Sequence, residues 1–413
     1  MRLDKDVTQE SIFTSYKHSL SVAQSVICLM NAAIGAGVLK LGYGYRCGIL
    51  LAPILTALIG LMNYISYWFL SWSIYHTKGN SFAEIWIEAI GSKTVVFPIL
   101  VTCLGSLAYT MYYIQFIIDS IFSLLENLGL EQDLIKFKIR LIINPVSIMC
   151  IVYLFLVLPL IFKDSLRFLY KISIVSLGLC IILFFNTFFW FIKTTLQKGF
   201  NPKKQLKFAS FDSTAISCIN SLLTAFTTYP NVWPGPRHYS LLSIEKLKKI
   251  FAWQSVLCWL LYTIFGTVSY LTLFDENEGG LILKYYPKGA MRFFAEASLV
   301  FMMAFTLPMT LNSCRYSILE IVSPIKSFEV DKRIWVPLGF LVTILSSMFA
   351  VSSFLSNWLY LLGDVASPIM IFILPQILYL FSVPTKQPLP VFISICFILF
   401  GLFYILYVIR QYV

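Results

Sequence analysis

The chain has 413 residues, 58% of them hydrophobic and only 12% charged, with 31 Lys and Arg against 20 Asp and Glu for a net charge of +11. An average soluble domain carries about twice that charged fraction, so there is too little charge to clothe the two or three soluble domains that about 400 residues would form. Soluble enzymes, nucleic-acid-binding proteins and disordered scaffolds are excluded together, because the basic residues lie between apolar runs and not on one face. The lipid bilayer is the expected partner.

Residues 1–19 are polar and read as a cytoplasmic tail, so the first apolar run is a span in its own right and not a cleaved signal. A helix needs about 20 mostly apolar residues to cross the hydrocarbon. By that measure eleven spans follow in order: 20–46, 48–74, 95–126, 142–162, 168–192, 213–234, 250–274, 293–315, 335–354, 357–381 and 389–409. Strand alternation is absent and the runs are too long for barrel strands. The expected class is an all-α polytopic membrane protein of about eleven transmembrane helices. The short connections leave a single transmembrane domain over 20–413, with 20–192, 213–381 and 389–409 as its parts. Residues 75–94 are amphipathic and predict a helix lying on the membrane surface. Of the 31 Lys and Arg, 17 fall on the side of the N-terminus, which puts that end in the cytoplasm.

Two spans read as broken. In span 1, Ile34-Gly35-Ala36-Gly37 sets two glycines in mid-membrane, where glycine permits non-helical dihedrals. Unwinding there would free backbone N–H groups at the positive end of a half-helix, a setting that suits a carboxylate. Exposed backbone survives at that depth only where it lines a cavity; close helix packing through small residues is the other reading. Span 6 carries Pro230, Pro234 and Pro236 within seven residues. Each removes a backbone donor and clashes with the preceding turn, giving a break or a kink near Pro230. Interrupted helices opening two halves of five spans each point to a transporter's central site.

Asn31-Ala32-Ala33-Ile34-Gly35-Ala36-Gly37-Val38-Leu39 resembles the span-1 signature of the amino acid/auxin permease family of eukaryotic transporters. Phe226-Thr227-Thr228-Tyr229-Pro230-Asn231-Val232 is similar to that family's span-6 motif. Tyr113 with Asp119, Thr306-Leu307-Pro308 with Arg315, and Gly363 with Pro375 resemble its features in spans 3, 8 and 10. The resemblance implies the five-plus-five inverted-repeat fold of the bacterial leucine transporter, with spans 1 and 6 broken and an eleventh helix added. It also implies secondary active transport of an amino acid by a protein of the plasma membrane or of a vacuolar or lysosomal membrane. On that basis the amides around Ile34, Gly35, Ala36 and Gly37 would receive the substrate carboxylate. Tyr113, Phe226, Thr227 and Tyr229 would wall the site and offer carbonyls to the ammonium. Asn31 and Thr306 match the residues that support Na+ in coupled members. One departure stands out: the family's His before the span-6 Pro is Tyr229 here, and Tyr does not titrate near neutral pH.

Charges at membrane depth usually mark a pathway. Asp119 and Glu296, near the ends of their spans, are expected to reach the interface. Asp364, about a third of the way into span 10, is the candidate proton-coupling or gating residue. No cofactor is expected, the coupling ion being Na+ (through Asn31 and Thr306) or H+ (through Asp364), and the chain is expected to act as a monomer. Eight of nine Cys lie inside apolar runs, no CxxC occurs, and His18, His76 and His238 all sit at span edges. No constellation for catalysis or for a thiolate metal site is thereby offered, and an enzyme is not expected. An amino acid sensor with little flux is the competing function, although the long tail it would use for docking is not expected here. Trp68, Trp72, Trp190 and Trp358 fall near span ends, as an interfacial belt would place them.

Overall fold

The computed structural model describes residues 20–79, 82–128, 145–161, 166–198, 206–226, 243–274, 282–322, 337–339, 341–345 and 353–412. Among these residues all regular structure is helical. Seven helices are long and apolar enough to cross a membrane, and the bent pair Val22–Ala33 and Gly37–Cys47 makes an eighth. Of the remaining expected spans, span 4 is a shorter helical run over Pro145–Ile161, span 6 is described only as Ser213–Phe226, and span 9 only in part.

Three helix starts are chemically marked. Span 1 opens with a capping box in which Ser21 Oγ accepts from the Gln24 amide at 3.3 Å and Gln24 Oε1 accepts from the Ser21 amide at 2.9 Å. The Ser213–Phe226 helix is preceded by Asp212, whose Oδ1 accepts from the Thr214 amide at 2.9 Å. Bonds from the Thr214 and Ser210 hydroxyls and from that amide push the Asp212 carboxyl down to about 2. Span 7 (Ile244–Leu273) is capped by Ser243, which accepts from the Lys246 amide.

Span 2 (Leu51–Thr77) shows how polar residues are tolerated at depth. Thr56, Ser71, Ser73 and Thr77 each donate to the carbonyl four residues earlier, at 2.7–3.1 Å, so these four hydroxyl protons find acceptors within their own helix. The helix ends at the left-handed Lys78. The amphipathic segment then forms the short helix Phe82–Ala89, with Ala83, Ile85 and Trp86 turned inward.

Span 3 (Val96–Asn127) and span 8 (Ala290–Val322) are the long central pair, packed along each other. At 32 residues span 3 is about 48 Å long, well beyond the roughly 30 Å hydrocarbon layer. Span 10 packs on span 3, and its helix is interrupted by a π-helical turn at Ile369–Ile373 between Pro368 and Pro375. Span 5 (Leu166–Lys198) and span 11 (Pro388–Tyr412) turn Phe185, Phe189, Phe392, Phe403 and Leu406 outward, as lipid-facing helices do. The fold therefore encloses spans 1, 3, 6 and 8, and its aromatic side chains divide between the core, where Tyr45, Phe69, Tyr153 and Phe265 are buried, and the periphery.

The expectation that Glu296 reaches the interface is overturned. Its side chain is 2% exposed and sits in an ionic cluster joining the end of span 3 to the start of span 8. Arg292 Nε donates to Glu296 Oε1 at 2.9 Å, Ser123 donates to the same oxygen, and Arg292 also faces Glu126 at 3.8 Å. A paired cation makes burial of the carboxylate tolerable. Asp119 is exposed, as expected. Trp190 is buried against Tyr286, with ring centroids 4.5 Å apart, and so is no belt residue; Trp358 is exposed.

Candidate functional site

Span 1 stops being an α-helix at Ala33. Ile34, at φ −78° and ψ 75°, makes a tight turn, Gly35 is extended, a 3-10 turn runs over Ala36–Lys40, and the two halves meet at 59°. The first bond of that turn is donated by the Val38 amide to Gly35 O at 3.2 Å. The Ala36 and Gly37 amides precede it and lie at the open end of the second half-helix.

At the two glycines the structure shows close packing, one of the two readings of the sequence, beside the break. Gly35 has φ −109° and ψ −155°, extended values that any residue adopts, so conformational freedom is not what the position demands. It demands space. A β-carbon on Gly35 would stand 2.9 Å from Tyr113 Cε1 and closer still to the Tyr113 hydroxyl. One on Gly37 would stand 3.1 Å from Ala225 Cα and 3.2 Å from its nitrogen. Span 1 thus meets a tyrosine of span 3 at one glycine and the backbone of span 6 at the other.

Span 7 closes the same junction. Tyr262, fully buried, donates toward Ala33 O at 3.0 Å and Ala225 O at 2.8 Å. Phe226 packs edge-on against its ring at 4.9 Å and also reaches Gly60 of span 2. Ile34, Gly35, Gly37, Tyr113 and Phe226 are therefore brought together as expected from their motifs. Nothing is described of the Ala36 side chain, and Thr227 and Tyr229, with the three span-6 prolines, lie outside the described residues.

A second polar cluster lies one turn before the break. Thr306 Oγ1 donates to Asn31 Oδ1 at 3.4 Å and to Met302 O at 2.9 Å. Asn31 Nδ2 donates to Ser173 Oγ at 3.3 Å and Met309 Sδ at 3.4 Å, and Ser176 Oγ lies 3.3 Å from Thr306 Oγ1. Spans 1, 5 and 8 thus converge on buried neutral oxygens: Asn31 Oδ1, Thr306 Oγ1, Ser173 Oγ, Ser176 Oγ and Met302 O. Hard uncharged oxygens suit a hard monovalent cation, whereas the Met309 sulfur does not. Sequence reading reached Asn31 and Thr306 but missed Ser173 and Ser176. Their spacing of three residues on one face of an apolar span was the available signal.

Asp364 is 8% exposed and lies on span 10, away from the span-1 break in sequence. The preceding Gly363 is pressed onto span 3, where a β-carbon would stand 3.2 Å from Ala108 Cβ and 3.3 Å from Tyr112 Cε2. One turn later Ser367 Oγ pairs with the Tyr109 hydroxyl at 2.7 Å. Asp364 is thus buried on span 10, between two residues, Gly363 and Ser367, that pack on span 3.

The family model described as transmembrane amino acid transporter protein matches residues 18–413. The chain belongs to this family. This transmembrane amino acid transporter family member is 25% identical over 334 residues to vacuolar amino acid transporter 5 of Saccharomyces cerevisiae, a match covering 76% of this chain and 69% of that protein. It is 22% identical to the putative amino acid transporter AAT1 of Plasmodium berghei and 23% identical to solute carrier family 38 member 10 of Mus musculus. Those matches take in 74% and 70% of this chain but only 48% and 26% of the two relatives, so the chain spans about half of one and a quarter of the other. Among solved structures, MhsT in complex with L-phenylalanine superposes with a TM-score of 0.66 at 12% identity, covering 96% of this chain and 99% of that one. A Na+-coupled sialic acid symporter follows at 0.56 and 14% identity, over 89% of this chain and 79% of that one. At such identities the likeness speaks for the fold, the leucine-transporter architecture of a multi-pass membrane protein.

Proposed function

We propose that the protein is a secondary active transporter of amino acids, working by alternating access around the junction of spans 1 and 6. The observation that carries the reading is the buried break at Ile34–Gly37, held between Tyr113 of span 3 and Ala225 of span 6. An α-amino acid is a zwitterion, and the junction offers complementary poles. The Ala36 and Gly37 amides stand at the positive end of one half-helix and would take the carboxylate. Carbonyls of span 6 near Phe226–Tyr229 would take the ammonium. Tyr113 and Phe226 would form the wall toward the side chain, with Thr227 and Tyr229 completing it from span 6.

Coupling would use one of two places. Asn31 and Thr306, with Ser173, Ser176 and Met302 O, would receive Na+; the buried Asp364 would carry H+. An ion drives transport only through its different affinity for the outward- and inward-facing states, which both places can provide because each lies between elements of different spans. The kinship with a yeast vacuolar transporter supports a vacuolar or lysosomal membrane, with the N-terminus on the cytoplasmic side.

The test is uptake of a panel of labelled amino acids into proteoliposomes with Na+ and pH gradients imposed separately. Accumulation of one amino acid class under one gradient is the expected result and names the ion. Binding without gradient-driven flux would replace the transporter reading with that of a sensor.

A further inference from the structure

The Tyr262 hydroxyl joins spans 1 and 6 directly. Its two acceptors are Ala33 O, on the last residue of the Val22–Ala33 helix, and Ala225 O of span 6. Two carbonyl oxygens that converge in a buried, low-dielectric site repel one another unless a donor stands between them. A phenol has one proton and so can serve only one carbonyl at a time. Ala33 O has a second donor, the Gly35 amide at 2.9 Å, so the proton can pass between the two carbonyls without orphaning Ala33 O. The ring is locked by Phe226, and one turn on, Gly266 lets span 7 close onto Tyr45 of the second half of span 1.

We propose that Tyr262 is a positioning residue for transport, its single shared proton tying the broken end of span 1 to span 6 at Ala225 so that the two hold the substrate poles in register and move as one body. The proposal rests on the transporter reading above and adds to it a residue on a third span that touches neither the expected carboxylate amides nor the ion cluster.

The test compares wild type, Tyr262→Phe and Tyr270→Phe in proteoliposomes, using the best-transported L-amino acid of the panel. Tyr262→Phe keeps the ring and removes the proton. Tyr270 is equally buried on the same span, but its hydroxyl accepts from the Lys207 amide at 3.0 Å in the connection before span 6. Tyr262→Phe should raise KM about tenfold with kcat changed less than about twofold, the size expected for one hydrogen bond lost from a site. Tyr270→Phe should leave KM unchanged. Amide hydrogen exchange read in the same three proteins should quicken about tenfold in Tyr262→Phe over both 30–37 and 222–226, and in neither segment for Tyr270→Phe. An unchanged KM in Tyr262→Phe, or an equal rise in Tyr270→Phe, would overturn the proposal, as would unchanged exchange at either segment. If the wild type carries no amino acid of the panel, the transporter reading falls, and exchange alone then decides the tie: quickened at both segments it stands, otherwise it is lost.

Discussion

The ring of Tyr113 lies over the α-carbon of Gly35 so closely that no β-carbon fits between them: Cε1 would be 2.9 Å away and the hydroxyl nearer. Both residues are held by their own helices, span 3 and the break of span 1, so neither can retreat cheaply. Gly35→Ala should therefore cost about 1–3 kcal/mol through overpacking and lower uptake more than about tenfold. Pairing it with Tyr113→Leu should recover thermal stability while leaving KM raised, because the wall would be gone. Melting curves and uptake kinetics of the two variants check this; full recovery of KM in the double variant would remove Tyr113 from the site.

At the Asn31–Thr306 cluster the expected effect is on the ion and not on the amino acid. Thr306→Ala removes one oxygen of five and should raise the Na+ concentration for half-maximal uptake about tenfold, with the amino acid KM at saturating Na+ little changed. Thr306→Ser, which keeps the hydroxyl, should restore the wild-type value. Loss of uptake with an unaltered Na+ dependence would show a packing role alone.

Asp364→Asn separates the two coupling ions. If the carboxylate carries the proton, the variant should still exchange labelled for unlabelled amino acid across the membrane but lose accumulation driven by a pH gradient. Its uptake should also become flat with pH. Pumping that persists under a pH gradient alone would exclude the residue from coupling.

The Arg292–Glu296 pair should be structural. Glu296→Ala leaves a buried guanidinium facing only Glu126 at 3.8 Å and Ser123, and breaking a buried pair costs about 3–5 kcal/mol. Glu296→Gln keeps an acceptor and should cost less. Both variants should show reduced thermal stability, in that order, with the KM of the surviving protein unchanged.

Much of this molecule was readable before any coordinates, because the bilayer imposes its rules locally. A span must be about 20 apolar residues long, its backbone must satisfy itself, and a Gly-rich interruption at depth must line something. Those rules gave the all-helical class, most of the spans, a helix within 75–94 and, as one of two readings, the break at Ile34–Gly37. The short signature around Asn31–Leu39 added the family. Glu296 was misread for the same reason: position along a span says how deep a charge lies but not whether a cation from a neighbouring helix meets it.

What the tertiary structure decided were the relations between residues far apart in the chain. Gly35 reads in sequence either as freedom of the backbone or as close helix packing; in the fold it is room for Tyr113, 78 positions later. Tyr262 reads as one more aromatic in an apolar run; in the fold its hydroxyl joins spans 1 and 6. Ser173 and Ser176 gain meaning only where span 5 meets Asn31 and Thr306. The physical reason is common to all three. Hydropathy and helix-breaking act within a few residues, whereas hydrogen bonds and van der Waals contacts between helices depend on rotation and crossing angle, which the packing of the whole bundle sets.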